Sequence, residues 1–279
     1  AGGPLRPVLD LAVELGQVGA AIGDDPVGYL GTLLSLGAGD LTVARVVEPH
    51  LDAMAITAQA AAEGGAAPPP GDGAWGVYAA HGPGHHLLAA TDEGGGWLLT
   101  GRKPWCSLAA ELGHAVITAH TGPDTTRAFA VALGHPGVRH PEQDWVSRGL
   151  TRVRSTTLEL DGVPGTPLGE DGWYLERPGF AWGGIGVAAV WLGAAQALLA
   201  TLRAAAERRP PDQIALAHLG RADSLVHGSL SVLDAAAGAI GAGAAVGSRG
   251  AVLAHRVRAS CAGTAEGLVA IVGHALGPG

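Results

Sequence analysis

The chain has 279 residues, 47% hydrophobic and 15% charged, with a formal net charge of −8. That length suffices for one large domain or two to three layered ones with a sizeable core. The acidic balance, with arginines scattered rather than gathered in a stripe, excludes a nucleic-acid-binding surface. The first residues, Ala1-Gly2-Gly3-Pro4-Leu5-Arg6, lack a basic-then-apolar leader, and no uninterrupted apolar run reaches bilayer length, so a cytoplasmic protein without membrane insertion is expected.

Residues 1–70 read as a helical domain. Leu9, Leu11, Ala12, Val13, Leu15 and Val18 recur at helical spacing, and Tyr29, Leu30, Leu33, Leu34 and Leu36 give a second apolar face with Pro26 near its first turn. A third helix begins after Asp40, whose carboxylate suits an N-cap, and passes through Val43, Val46, Leu51, Met54 and Ile56. Pro49 should kink or split it. Glu48 and His50 lie in this helix, and a histidine on a mostly apolar helix is more often a structural side chain than a catalyst. The run Ala66-Ala67-Pro68-Pro69-Pro70-Gly71-Asp72-Gly73 then reads as a linker, because prolines stop a helix and glycines let the chain turn.

Between residues 71 and 169 the hydrophobic period changes to two, with runs at 75–80, 86–91, 97–103, 115–119, 127–133 and 156–160. Six strands without intervening helices imply an antiparallel sheet or barrel. His85 and His86 are adjacent, so in a strand they face opposite sides and do not form a metal site. Cys106 falls in a strand and Cys261 in a helical pattern, and no Cys/His spacing matches a zinc site. No metal is expected, and two such cysteines suit a reducing compartment. The densest chemistry lies in Gly101-Arg102-Lys103-Pro104-Trp105-Cys106-Ser107, which holds the only lysine and then an indole two residues before a hydroxyl. That pair can cover a flat ring and hydrogen-bond its edge; it can equally be a buried tryptophan in a barrel wall.

Residues 170–279 return to helix. The segment 180–208 is long, glycine-punctuated and apolar on most faces, and two further helices follow at 211–238 and 250–273, separated by a Gly/Ala-rich stretch. The expected class is α+β: an N-terminal helical domain (1–70), a central antiparallel β-barrel or sandwich (71–169) and a C-terminal up-down helical bundle (170–279).

Residues 101–107 resemble the "Gly-x-Lys-x-Trp-Ile-Thr" strand of the acyl-CoA dehydrogenases. Residues 154–169 resemble that family's closing strand, and Gly193-Ala194-Ala195-Gln196-Ala197-Leu198 resembles its "Gly-x-Ala-x-x-Ala-Leu" helix. The resemblance implies FAD as cofactor. In it Trp105 packs on the isoalloxazine and Ser107 bonds the N5 edge, with Cys106 between them. The backbone of Val77, Tyr78 and Ala79 meets the pyrimidine edge. Arg208 or Arg209 stands for an arginine that reaches the pyrophosphate in a partner subunit, which implies a homodimer or homotetramer.

The sequence departs from the family pattern in several places. Gly84-His85-His86 replaces a Ser-Asp that shapes the thioester site, and Pro211-Asp212 replaces a Phe-Gly. Residues 181–184 carry no charge where relatives handle substrate. The glutamate base of many members follows a glycine turn like the one near Gly277, and another branch places its base near Gly183. No carboxylate stands at either place, and the catalytic residues are unassigned. The implied activity is FAD-dependent α,β-dehydrogenation of an acyl thioester or related small molecule. The alternatives are a flavin-dependent monooxygenase or oxidase on the same scaffold, and a non-catalytic homologue.

Overall fold

The computed structural model describes residues 5–68, 71–84, 86–141 and 145–277. His85, Pro69 and Pro70 of the expected linker, and both chain ends lie outside the described residues. Helices α1 (Arg6–Glu14), α2 (Gly16–Ala20), α3 (Pro26–Gly39) and α4 (Leu41–Ala62) occupy the first segment. Asp40 caps α4 as expected, its Oδ1 accepting from the N–H groups of Thr42 (2.6 Å) and Val43 (3.2 Å). Pro49 does not split α4, which runs unbroken for 22 residues. The fully buried Val47, Leu51, Ala53 and Ile56 hold the helix on both sides of the proline through packing, which outweighs its poor propensity.

Seven strands follow among the described residues: β1 (Trp75–Tyr78), β2 (Leu87–Thr91), β3 (Trp97–Ser107), β4 (His114–His120), β5 (Thr126–Ala132), β6 (Val138–Arg139) and β7 (Ser155–Leu168). Ladders β4–β5, β5–β7, β7–β3, β3–β2 and β2–β4 close a ring, so the barrel forms. Its pairing is mixed rather than wholly antiparallel, because β1 and β2 both meet β4 in parallel. Hairpin neighbours alone would give the antiparallel pattern, whereas closing the ring sets strands distant in sequence side by side. Strand β4 alternates between two cores. Ala115, Ile117 and Ala119 face the barrel interior with Leu99, Phe129 and Leu158, while Val116 faces Ala53, Ile56 and Ala60 of α4.

Helices α5 (Trp173–Glu176), α6 (Pro178–Arg208), α7 (Gln213–Gly241) and α8 (Gly247–Leu276) complete the chain. By packing, the residues fall into two compact units, Ala1–Ala20 with Arg45–Phe180, and Ala21–Ala44 with Ala181–Gly279. In the second unit α3 and α6 touch backbone to backbone: a Cβ on Gly37 would strike the Val190 carbonyl, and one on Gly193 the Leu34 carbonyl. Between α7 and α8, the buried Ser229 hydroxyl lies 2.8 Å from both Ser260 and Thr264 hydroxyls. The expectation that no segment reaches bilayer length is corrected here. By length and composition α6 and α8 are both long and apolar enough to cross a membrane, since Ala and Gly raise hydropathy without adding bulk. Half of that stretch of α6 is buried against protein, as in a bundle helix.

Candidate functional site

Strand β3 departs from regular geometry where its chemistry is concentrated. Against β7, Lys103 pairs with Leu158 and Cys106 with Thr156, so β3 carries one extra residue, a β-bulge. Within it Trp105 has φ +58°, a left-handed backbone that a bulky residue adopts only when its surroundings enforce it. The consequence is directional. Lys103 and Cys106 turn into the protein, and the indole turns out, 53% exposed. Gly82 supports the ring, since a Cβ there would press on Pro104 and on the Trp105 ring.

The sole lysine ties the two sides of this region together. Lys103 Nζ, buried, donates to the Thr118 carbonyl (2.6 Å) and to Thr118 Oγ1 (2.9 Å), which itself donates to the Ala79 carbonyl (3.1 Å). Burial lowers the ammonium pKa to about 8. A folded value below the ordinary 10.5 means that the fold disfavours the bound proton; the contribution of Lys103 to stability therefore improves as pH rises from 8 to 10.5. Lys103→Met is expected to raise stability at pH 7 by about 1–2 kcal/mol in urea unfolding, with the gain shrinking toward pH 10.

Ser107 is held from several sides. Its carbonyl accepts from the Tyr78 hydroxyl (2.9 Å), its Oγ lies 2.8 Å from Ser155 Oγ, and Arg45 Nη2 donates to that Oγ at 3.4 Å. Arg45 Nη1 is 3.8 Å from Glu48. Three hollows meet at the Trp105 ring. One is lined by Arg45, Val77, Tyr78 and Ser107; a second, of about 320 Å³, by Arg45, Ser107, Trp145, Leu150 and Ser155; a third, of about 240 Å³, by Pro83, Trp145, Thr156 and Thr157. Among the described residues no carboxylate lines any of them.

Four of the expected site residues, Val77, Tyr78, Trp105 and Ser107, are thus brought around one hollow. Ala79 follows the end of β1 with its carbonyl engaged by Thr118. Cys106 faces the core, fully buried, with burial pushing its thiol up to about 12. Arg208 and Arg209 are exposed in the second unit, at the end of α6 and just beyond it, and Arg209 lines a hollow of about 380 Å³ with His218 and His274. His50 is structural: buried, it accepts the Trp75 backbone N–H at Nδ1 (3.0 Å). Sequence reasoning missed Arg45, Trp145 and the side-chain role of Ser155. Ser155 lies inside the recognised closing-strand motif, but alternation alone marks it only as a strand residue.

No protein-family profile and no curated protein sequence matches this chain. Solved structures do. Butyryl-CoA dehydrogenase from Megasphaera elsdenii superposes with TM-score 0.78 at 18% identity, covering 97% of this chain and 79% of that one. A nitrososynthase from Micromonospora carbonacea var. africana gives TM-score 0.77 at 19% identity, covering 96% and 78%. This chain has the acyl-CoA dehydrogenase fold. A methanesulfinate monooxygenase from Pseudomonas fluorescens shares the acyl-CoA dehydrogenase fold with it too, at TM-score 0.71 and 16% identity, over 99% of this chain and 87% of that one. An acyl-CoA dehydrogenase fold thus carries different chemistries among these neighbours, and the choice between them rests on side chains.

Proposed function

We propose that this chain is a flavin-dependent oxidoreductase that holds FAD against β3. The observation that carries this reading is the bulge at Trp105, where strained backbone presents half an indole to solvent beside a hydroxyl and a guanidinium. The residues fit a flat heteroaromatic ring. Trp105 supplies an apolar face and Ser107 a hydrogen-bonding group at the ring edge. Among the described residues strand β1 has a ladder partner on one side only, which leaves backbone N–H groups around Val77, Tyr78 and Ala79 for a ligand edge. When bound, the flavin supplies the electron-accepting chemistry that no side chain can. The protein's part is to orient the ring and to shield one face with Trp105.

Within this reading the substrate is an acyl thioester or a related small molecule undergoing α,β-dehydrogenation. A second reading, an oxygen-using monooxygenase or oxidase, is favoured by the lining of indoles, hydroxyls and one guanidinium, and by the uncharged residues 181–184. Anaerobic reduction of the bound flavin by acyl thioesters supports the first; oxygen uptake by the chemically reduced protein with no thioester response supports the second. The Arg209 hollow is lined also by two imidazoles and by Asp212, whose carboxylate accepts from the Ala215 N–H, and we assign it to the pyrophosphate of the FAD of a second copy in a homodimer or homotetramer. Light scattering gives the mass, and chromatography of the heat-released cofactor separates FAD from FMN.

The direct test is flavin titration followed by absorbance and tryptophan fluorescence. Trp105→Ala is expected to weaken flavin binding about tenfold or more with an unchanged circular dichroism spectrum, and Trp105→Phe to retain most of it. Wild-type protein that binds neither FAD nor FMN overturns the reading.

A further inference from the structure

The hollow between the two exposed indoles has a chemistry of its own. Trp105 and Trp145, 53% and 42% exposed, line it together with Leu150, another non-glycine residue in the left-handed region (φ +51°). Ser107, Ser147 and Ser155 contribute hydroxyls, and Arg45 is the one cation among its described lining residues. The side chain of Arg45 is 42% exposed, its ion pair with Glu48 is long at 3.8 Å, and its bond to Ser107 at 3.4 Å is a weak one. Most of its five donors are therefore left over by these two bonds. A fork of N–H groups beside hydroxyls and flat apolar walls matches a planar molecule that ends in a carboxylate or a group of like geometry.

We infer that this hollow is a subsite for a small aromatic anion, with Arg45 as the residue that selects for negative charge. The inference deepens the functional reading above and rests on it for the claim that the occupant is substrate; the binding itself is measurable without flavin. The carboxylate receives charge-assisted bonds from Arg45, and Ser155 supplies a further hydroxyl. The ring lies among Trp105, Trp145 and Leu150. An uncharged amide of the same shape keeps the apolar contacts and loses the ion pair, so discrimination between acid and amide isolates the role of Arg45.

Calorimetric titration of the full chain with 1-naphthoate and 1-naphthamide, with and without saturating flavin, tests this. The acid is expected to bind at least tenfold more tightly than the amide, Arg45→Met to abolish that ratio, and Arg45→Lys to restore part of it. Trp145→Ala is expected to weaken acid and amide alike, which a charge-only role of this face would not produce. Equal affinity for acid and amide in the wild type, or a ratio unchanged in Arg45→Met at an unchanged Tm, overturns the inference. So does loss of flavin affinity in Arg45→Met by the same factor as loss of naphthoate affinity, which would assign the guanidinium to the ring itself. Failure to bind flavin alongside acid selectivity sinks the oxidoreductase reading and leaves the anion subsite standing.

Discussion

Asp52→Ala should lower the unfolding free energy by about 3–5 kcal/mol, because it strands a buried guanidinium. Arg177 has a side chain only 1% exposed, and Asp52 Oδ1 lies 3.6 Å from its Nη2. Beside this pair, Gln59 Oε1 accepts from Nη1 at 3.0 Å, and the guanidinium lies 5.3 Å from the Tyr174 ring centroid, both neutral groups. Asp52 is the counter-charge, and it is an imperfect one. Burial raises its pKa, with Arg177 opposing that rise, and among the described residues neither Asp52 Oδ1 nor Arg177 Nε has a hydrogen-bond partner. The desolvation of two charges is thus only partly offset, the condition under which removing one partner is far worse than removing both. Arg177→Met should be the milder change, since a lone Asp52 can take up a proton; its loss should be smaller at pH 5 than at pH 8. The double variant Asp52→Leu/Arg177→Met should recover most of the stability. Urea unfolding of the four proteins closes the cycle, and single and double variants with equal losses would show that the ion pair is not the cause.

Local pattern and long-range pattern differ in how far they can be read. The period-two runs locate the six longer strands, since alternation is a property of neighbouring residues, but end β3 four residues and β7 eight residues short of Ser107 and Leu168. The two-residue β6 is too short to carry a period, and the parallel approach of β1 to β4 has no local signal. The same division holds at the site. Trp105 and Ser107 are legible because indole and hydroxyl sit two residues apart in one strand. Arg45 is 62 residues from Ser107 and Ser155 is 48, so only the closed barrel and α4 bring them together. The bulge that turns Trp105 outward is likewise invisible, because the sequence does not show which residue of β3 lacks an opposite number on β7.

His50, which the sequence pattern marks as structural rather than catalytic, acts as an acid-sensitive joint in the fold. Its Nδ1 accepts the Trp75 backbone N–H, tying α4 to the first residue of β1, and that bond requires an unprotonated Nδ1. Burial lowers the imidazole pKa from 6.5 to about 4. A depressed folded value means that the unfolded chain takes up the proton first. The contribution is therefore complete above pH 6.5 and is lost progressively as pH falls from 6.5 to 4, by about 3 kcal/mol at most. Asparagine places its Oδ1 near the position of Nδ1 and does not titrate. His50→Asn should be less stable at pH 8, because the ring volume is lost beside Gly16 and Met54. Its stability should nevertheless decline less steeply than that of the wild type over the same interval. The comparison cancels the other groups that titrate there, among them Glu111, whose carboxyl is raised by burial, and His81 and His140, lowered by it. Parallel curves for the two proteins between pH 6.5 and 4 would mean that the proton enters elsewhere, and that the link between α4 and β1 does not depend on the charge of this imidazole.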